Sequence, residues 1–220
     1  YVADFAAFAD TVGREYACGE PLNLYCHSMG GGIGAAVMEH YPSLFDKAVL
    51  SAPMIAPVVG MPTWIARIAT GALCGLGFGK ARVFGHNDFS PELNLDEHKG
   101  ASEARVRWFH KQRVDDEACH TNAATFEWAH QAMALSRAVL KPDMCGAIET
   151  PTLLFQAGRD VWVLNGPQDD FVERVREGGG SIEKIRYGKS LHEIFSMPNT
   201  VVGPYVDKIV DFYNAPEAAL

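Results

Sequence analysis

The sequence predicts an α/β fold, a mostly parallel sheet with helices on both faces. Three observations carry this. Residues 22–26, 47–52 and 152–156 are short apolar runs of strand length, and residues 182–187 read as a fourth strand. Segments with helical periodicity alternate with these strands, as parallel sheets require. A serine stands in Cys26-His27-Ser28-Met29-Gly30, at the junction of a strand and a helix with no room for an ordinary loop.

In chain order, Val2, Phe5, Phe8, Ala9 and Val12 recur at helical spacing and predict an amphipathic helix. Gly19 and Pro21 punctuate the chain before the first strand. Residues 33–41 are helical again, and Pro42 stops them. After the third strand a helix around residues 171–176 is closed by Gly178, Gly179 and Gly180. Val202, Val206, Ile209 and Phe212 mark a last helix over residues 201–213.

Residues 53–148 break this rhythm. They are rich in helix formers, aromatics and glycine and show no clear strand pair, so they read as a helical cap inserted into the core. Residues 1–52 and 149–220 are then the two parts of that core. No internal repeat or low-complexity tract is present.

Composition narrows the function. A formal net charge of −8 argues against nucleic acid as a partner and against broad electrostatic docking on an anionic membrane, while leaving local apolar contact open. Cys18, Cys26, Cys74, Cys119 and Cys145 are odd in number, irregularly spaced and without a CxxC pair. That disfavours a disulfide framework or a zinc site and predicts free thiols in a reducing compartment. The expected location is the cytoplasm, at most peripheral to the inner membrane. The apolar stretch 52–78 is interrupted by Pro53, Pro57, Pro62 and Arg67, which argues against a spanning helix.

The chemistry centres on Ser28. A serine on a sharp strand-to-helix turn lifts its hydroxyl above the carboxyl edge of the sheet. The helix behind it aims backbone N–H groups and the positive end of its dipole at the same point, where an attacked ester develops negative charge. Gly30, Gly31, Gly32 and Gly34 are expected to let that helix lie close to its strand. The usual pattern is G-x-S-x-G, with Cys26 here in place of the first glycine. A helix N-cap serine is the alternative reading of the pentapeptide alone.

A serine nucleophile needs a base, and the base needs an orienting acid. Asp160 follows the 152–156 strand through Ala157-Gly158-Arg159. His192 follows the 182–187 strand through Gly188-Lys189-Ser190-Leu191, which gives the order Ser, acid, His. A turn aspartate and a surface histidine are the competing readings. Asp169 and Asp170 are rivals for the acid but fall in a predicted helix. His27 is expected to point away from Ser28 and to serve packing or hydrogen bonding. His110, His120 and His130 lie in the insertion with no HExxH spacing, so no metal ligands are assigned and no cofactor is expected.

Leu24-Tyr25-Cys26-His27-Ser28-Met29-Gly30-Gly31 resembles the nucleophile region of the bacterial lysophospholipase and monoacylglycerol lipase group, within the α/β-hydrolase fold. Phe45-Asp46-Lys47-Ala48-Val49-Leu50-Ser51-Ala52-Pro53-Met54 is similar to the segment after it. Residues 151–160 resemble that group's acid strand and turn, Leu191-His192-Glu193-Ile194 its histidine turn, and residues 209–212 its last helix. Met61-Pro62 and the histidine turn draw the resemblance toward the lysophospholipase branch.

The resemblance implies a serine ester hydrolase that works through an acyl-enzyme on a lysolipid or another small acyl ester. Ser28 is then the nucleophile, His192 the base, Asp160 the acid, and the Met29 N–H an oxyanion donor. Relatives carry several strands before the point where this chain starts, and a second oxyanion donor comes from their loops. The N-terminal strands are therefore expected to be missing from a fragment of a longer product, leaving residues 22–26 as a bare sheet edge. Met61, Trp64, Ile65, Ile68, Leu73, Leu76 and Phe78 are expected either to line a greasy entrance for the acyl chain, with peripheral membrane contact through the cap, or to pack as the cap's core. A short-chain carboxylesterase, a peptidase of the related serine aminopeptidase group and a non-catalytic binding protein stand beside the lipase reading.

Overall fold

The computed structural model describes residues 1–85 and 88–216. Residues 86–87, inside the 53–148 segment, and 217–220, at the end of the 149–220 segment, lie outside the described residues.

β1 (Asn23–His27), β2 (Lys47–Ser51), β3 (Thr152–Ala157) and β4 (Ile182–Tyr187) form a four-stranded parallel sheet in the order β1-β2-β3-β4. Cys26 pairs with Leu50, Leu50 with Leu154, and Leu154 with Lys184. The strands match the sequence reading to within a residue at each end. Every residue of β2 and β3 is buried, which is why those runs carry no polar alternation. β1 lies at one edge. Leu24 and Cys26 point into the core, while Asn23 and Tyr25 are exposed on the other face.

Alternation along the strands supplies two cores. On one face Leu24, Cys26, Ala48, Leu50, Leu154 and Ile182 meet α3 (Met29–His40) and α8 (Asn165–Glu177), through Val37, Met38, Phe171 and Val175. On the other, Val49, Leu153 and Phe155 meet α9 (Asn199–Asn214) through Tyr205 and Phe212. Each such large apolar side chain contributes roughly 1.5–3 kcal/mol by leaving water.

Lys47 is buried at the start of β2, and its Nζ donates to the carbonyls of Phe212, Tyr213 and Ala215. A cation at the carbonyl end of α9 satisfies orphan acceptors and complements the helix dipole. It ties the last helix to the second strand.

The first predicted helix is divided: α1 (Val2–Phe8), a π segment over Ala9–Gly13, and α2 (Arg14–Ala17). Within this run the Thr11 hydroxyl donates to the Ala7 carbonyl four residues back, a bond that commonly bends helices. Cys18 and Gly19, both with positive φ, end it.

Between β2 and β3 lie α4 (Thr63–Gly75), α5 (Glu103–Asp115), α6 (Phe126–Val139) and α7 (Pro142–Cys145). Extended pairing in this segment is limited, among the described residues, to isolated bridges at Pro57–Val163 and Arg82–Thr125. α6 packs against both α4 and α3, and Val139, Cys145 and Ile148 are buried in the α3 core. No helix of the described residues is long and apolar enough to cross a membrane.

Candidate active site

Ser28 stands between β1 and α3 with φ 53° and ψ −123°. Positive φ at a residue with a Cβ costs on the order of 1–3 kcal/mol and persists only where neighbours enforce it. Here they do. Ser28 N donates to Ser51 O at 3.1 Å, and Ser28 O accepts from Gly31 N at 2.9 Å and Met54 N at 2.8 Å.

The glycines behind Ser28 explain the tight seat of α3. A Cβ on Gly31 would lie 2.6 Å from the Cβ of Pro53, and one on Gly32 would lie 2.5 Å from the Met54 carbonyl oxygen. A Cβ on Gly34 would lie 2.9 Å from Cys26 Sγ, so the larger residue at the first position of the pentapeptide is accommodated by a glycine on the facing helix. Gly30 departs from expectation. A Cβ there meets nothing within 4 Å, because this residue faces away from the sheet. Burial pushes the Cys26 thiol up to about 12, which leaves it neutral and inert beside the serine.

Asp160 and His192 hang from two turns that touch. A Cβ on Gly158 would lie 2.4 Å from the Gly188 carbonyl oxygen. Gly158 N donates to Tyr187 O at 3.0 Å, and Arg159 N donates to Ser190 O at 2.9 Å. The Asp160 side chain is 0% exposed and that of His192 is 6%. Asp160 Oδ1 accepts from the amides of Trp162 at 2.9 Å and Val163 at 3.0 Å, which leaves Oδ2 for His192 Nδ1 at 2.6 Å. His192 Nε2 lies 2.8 Å from Ser28 Oγ. A carboxylate at Nδ1 fixes the tautomer: Nδ1 carries the proton, and Nε2 accepts from the serine hydroxyl.

The rival acid is elsewhere. Asp169 Oδ1 accepts from Lys184 Nζ at 2.5 Å and Gln156 Nε2 at 2.9 Å on the β4 side of α8. His110 and His120 donate to the carbonyls of Pro91 and Val114 between β2 and β3, and His130 meets the Thr70 hydroxyl.

His27 was expected to turn away from the serine as a packing or hydrogen-bonding residue. It does bond, donating from Nδ1 to Ser51 O at 3.0 Å, but its ring centroid lies only 4.7 Å from that of His192. Burial, then the neighbouring His192, hold its imidazole down at about 4, so it is neutral near pH 7. His27, His192 and Glu193 also place one metal-capable donor each within 4.8 Å of one another.

Met29 opens α3, where helix amides have no carbonyl partner within the helix. Its Sδ accepts from Trp128 Nε1 of α6 at 3.3 Å, so the stretch between β2 and β3 reaches the serine turn. A cavity of about 330 Å³ lies there, lined by Met29, Ile33, Met54, Trp128 and Leu135 among others. A larger one of about 710 Å³ reaches His192 and Glu193 from beneath α5, with Arg113, Arg159 and Trp162 in its wall. Six of the seven apolar residues expected to line a greasy entrance or to pack as the cap's core stand at the surface instead of in a core. Met61, Trp64, Ile65, Ile68, Leu76 and Phe78 are 39–72% exposed, on or beside α4, and line neither cavity. The opposite side of α4, at Ala66 and Thr70, is the one that packs inward.

The contact between Gly158 and Gly188, the approach of Glu193 to His27 and the seat of Trp128 on Met29 all join residues far apart in the chain. No local pattern signals them.

This geometry has relatives. The chain is 29% identical over 230 residues to lysophospholipase L2 of Escherichia coli strain K12, a match taking in 97% of this chain and 63% of that protein. It is 27% identical over 166 residues to a probable lysophospholipase L2 of Haemophilus influenzae, covering 75% of this chain and 51% of that one. The chain thus spans less than two thirds of the length of these curated relatives. Among solved structures, a carboxyl esterase of Bacillus coagulans superposes with a TM-score of 0.71 at 12% identity, over 97% of this chain and 70% of that one. A soluble variant of monoglyceride lipase from Saccharomyces cerevisiae gives 0.67 at 19% identity, over 98% and 70%. Both establish the α/β-hydrolase fold. The family described as serine aminopeptidase, S33, matches residues 1–199, and the chain belongs to that family.

Proposed function

We propose that this protein is a serine hydrolase that cleaves acyl esters of the lysophospholipid or monoacylglycerol type. The observation that carries the reading is the continuous relay from Ser28 Oγ through His192 to the fully buried Asp160 carboxylate, built on a strained serine.

Ser28 Oγ attacks the ester carbonyl carbon as its proton passes to His192 Nε2. Asp160 remains ionised and stabilises the imidazolium. The Met29 N–H meets the oxyanion at the start of α3. His192 then protonates the departing alkoxide, an acyl-Ser28 ester remains, and a water activated by His192 releases the fatty acid. Every step is proton transfer, charge stabilisation or acyl transfer by groups of this chain.

Residues 53–148 act in this reading as a cap that shapes the substrate site. The apolar cavity beside Met29 and Trp128 suits an acyl chain. The cavity at His192, with the Arg113 and Arg159 guanidiniums in its wall, suits a polar head group. The exposed apolar side of α4 suits contact with a lipid surface. The similarity to lysophospholipase L2 of E. coli points the same way.

Hydrolysis of a long-chain lysophospholipid, a long-chain monoacylglycerol and a short-chain ester, each with wild type and Ser28→Ala, tests the reading. Long-chain turnover that disappears in Ser28→Ala supports it. Turnover of short esters alone would favour a small carboxylesterase, and ligand binding without turnover would favour a non-catalytic role.

A further inference from the structure

We propose that His27, His192 and Glu193 form an inhibitory site for Zn2+ or a similar divalent transition metal, in competition with Ser28 for the free lone pair of His192. Binding itself depends only on these side chains. Inhibition as its consequence rests on the reading of His192 as the base.

The donor set comes first. Two imidazoles and one carboxylate lie within 4.8 Å of one another, the His2Glu combination that suits a zinc ion with a further position open to water. With metal–ligand bonds of about 2.0–2.1 Å, tetrahedral donors stand roughly 3.4 Å apart. Closing the trio needs side-chain movements of about an ångström. His27 and Glu193 are only partly buried, which gives them that freedom.

The orientation of the rings is the second argument. A histidine that ligates a metal nearly always donates its other ring N–H to a carboxylate or a backbone carbonyl, which fixes the tautomer and raises ligand basicity. Both histidines already do so. His192 Nδ1 donates to Asp160 Oδ2 at 2.6 Å, and His27 Nδ1 donates to Ser51 O at 3.0 Å. The lone pair left on each ring is at Nε2. The partners that ready His192 to take a proton from Ser28 therefore also ready it to bind a metal. Asp160 is itself held by two backbone amides, so the outer support is fixed in advance.

Access is the third. Glu193 and His192 both border the cavity of about 710 Å³ beneath α5, which gives a hydrated ion a route to the trio. On binding, His192 Nε2 exchanges the Ser28 hydroxyl for the metal. The hydroxyl keeps its proton, and the base is occupied.

Two readouts on the same protein test this. Calorimetric titration with Zn2+, and visible absorption on adding Co2+, report the site without any reaction. One ion per chain is expected, with the intense absorption of four-coordinate Co2+. Loss of even an outer partner costs metal sites about 10–100-fold. Glu193→Gln and His27→Gln, each checked for folding by circular dichroism, should therefore weaken Zn2+ binding at least about tenfold. In parallel, fluorophosphonate labelling of Ser28 should fall with added Zn2+ at a midpoint matching the calorimetric one and return with EDTA. No Zn2+ binding to a protein that still labels overturns the metal site. Binding that both variants leave unchanged, with a six-coordinate Co2+ spectrum, overturns it as well. A protein that binds the ion but never labels would instead overturn the hydrolase reading and leave the site standing.

Discussion

Gly158 and Gly188 meet backbone to backbone: a single Cβ on Gly158 would intrude to 2.4 Å from the Gly188 carbonyl oxygen. Gly158 leads into Asp160 and Gly188 leads into His192, so this contact sets how the carboxylate faces the imidazole. The clash is with backbone, which cannot swing aside as a flexible side chain would. Gly158→Ala is expected to part the two turns and lengthen the Asp160–His192 bond. Misplacement of a reacting group by about an ångström can cost on the order of 10²-fold in rate. Fluorophosphonate labelling rates beside a thermal melt check this, the prediction being a slower reaction in a protein that still unfolds cooperatively.

Asp160 accepts two amides on one oxygen and His192 Nδ1–H on the other. Asp160→Asn keeps the shape but offers an N–H where a carboxylate is needed, which favours the wrong tautomer of His192. An expected loss of about 10⁴-fold in turnover follows. Steady-state kinetics on a soluble ester measures it. A loss under tenfold would show that Asp160 is not the orienting acid.

α4 presents Trp64 at 67% and Ile68 at 66% exposure. A lipid surface would bury them, and their replacement should cost little stability. Trp64→Ser with Ile68→Ser is expected to reduce sedimentation with phospholipid vesicles several-fold. Hydrolysis of a monomeric short-chain ester should stay close to wild type. Vesicle co-sedimentation and ester turnover, measured on the same samples, separate the two effects.

Glu39 is buried in α3, and its Oε1 has no hydrogen-bond partner. Burial first, then the Asp143 carboxylate, push its carboxyl up to about 8, against partial relief from Lys141. The folded state therefore holds this proton more tightly than the unfolded chain, whose glutamates titrate near 4.3. The stabilisation is complete below that value and is lost as pH rises toward and through about 8. Unfolding free energies from urea titrations at pH 5 and pH 8 should differ by on the order of a few kcal/mol in wild type, lower at pH 8. In Glu39→Gln that part of the pH dependence should vanish.

Much of this was legible in the sequence because the strands of a covered parallel sheet announce themselves. Residues 153–155 are apolar without alternation since both faces of β3 are packed, and the turn residues after β3 and β4 stand in the order the fold demands. The serine turn was visible for a similar reason: a strand meeting a helix with one serine between them leaves few conformations. Other features were hidden. The exposed side of α4 was unreadable because apolar residues at helical spacing look alike whether they face a core or solvent. Gly30 and Gly31 are neighbours of one type, yet only Gly31 touches Pro53, a distinction that depends on helix rotation. The side of His27 that faces His192 depends on a turn at φ 53°, beyond the reach of spacing arguments.

The most direct test of the account is labelling with a fluorophosphonate probe, wild type against Ser28→Ala. The relay of Ser28, His192 and Asp160 predicts rapid modification of wild type at a single residue, Ser28, and none in the variant. A folded wild-type protein that does not label, or a Ser28→Ala variant that labels equally, would contradict it.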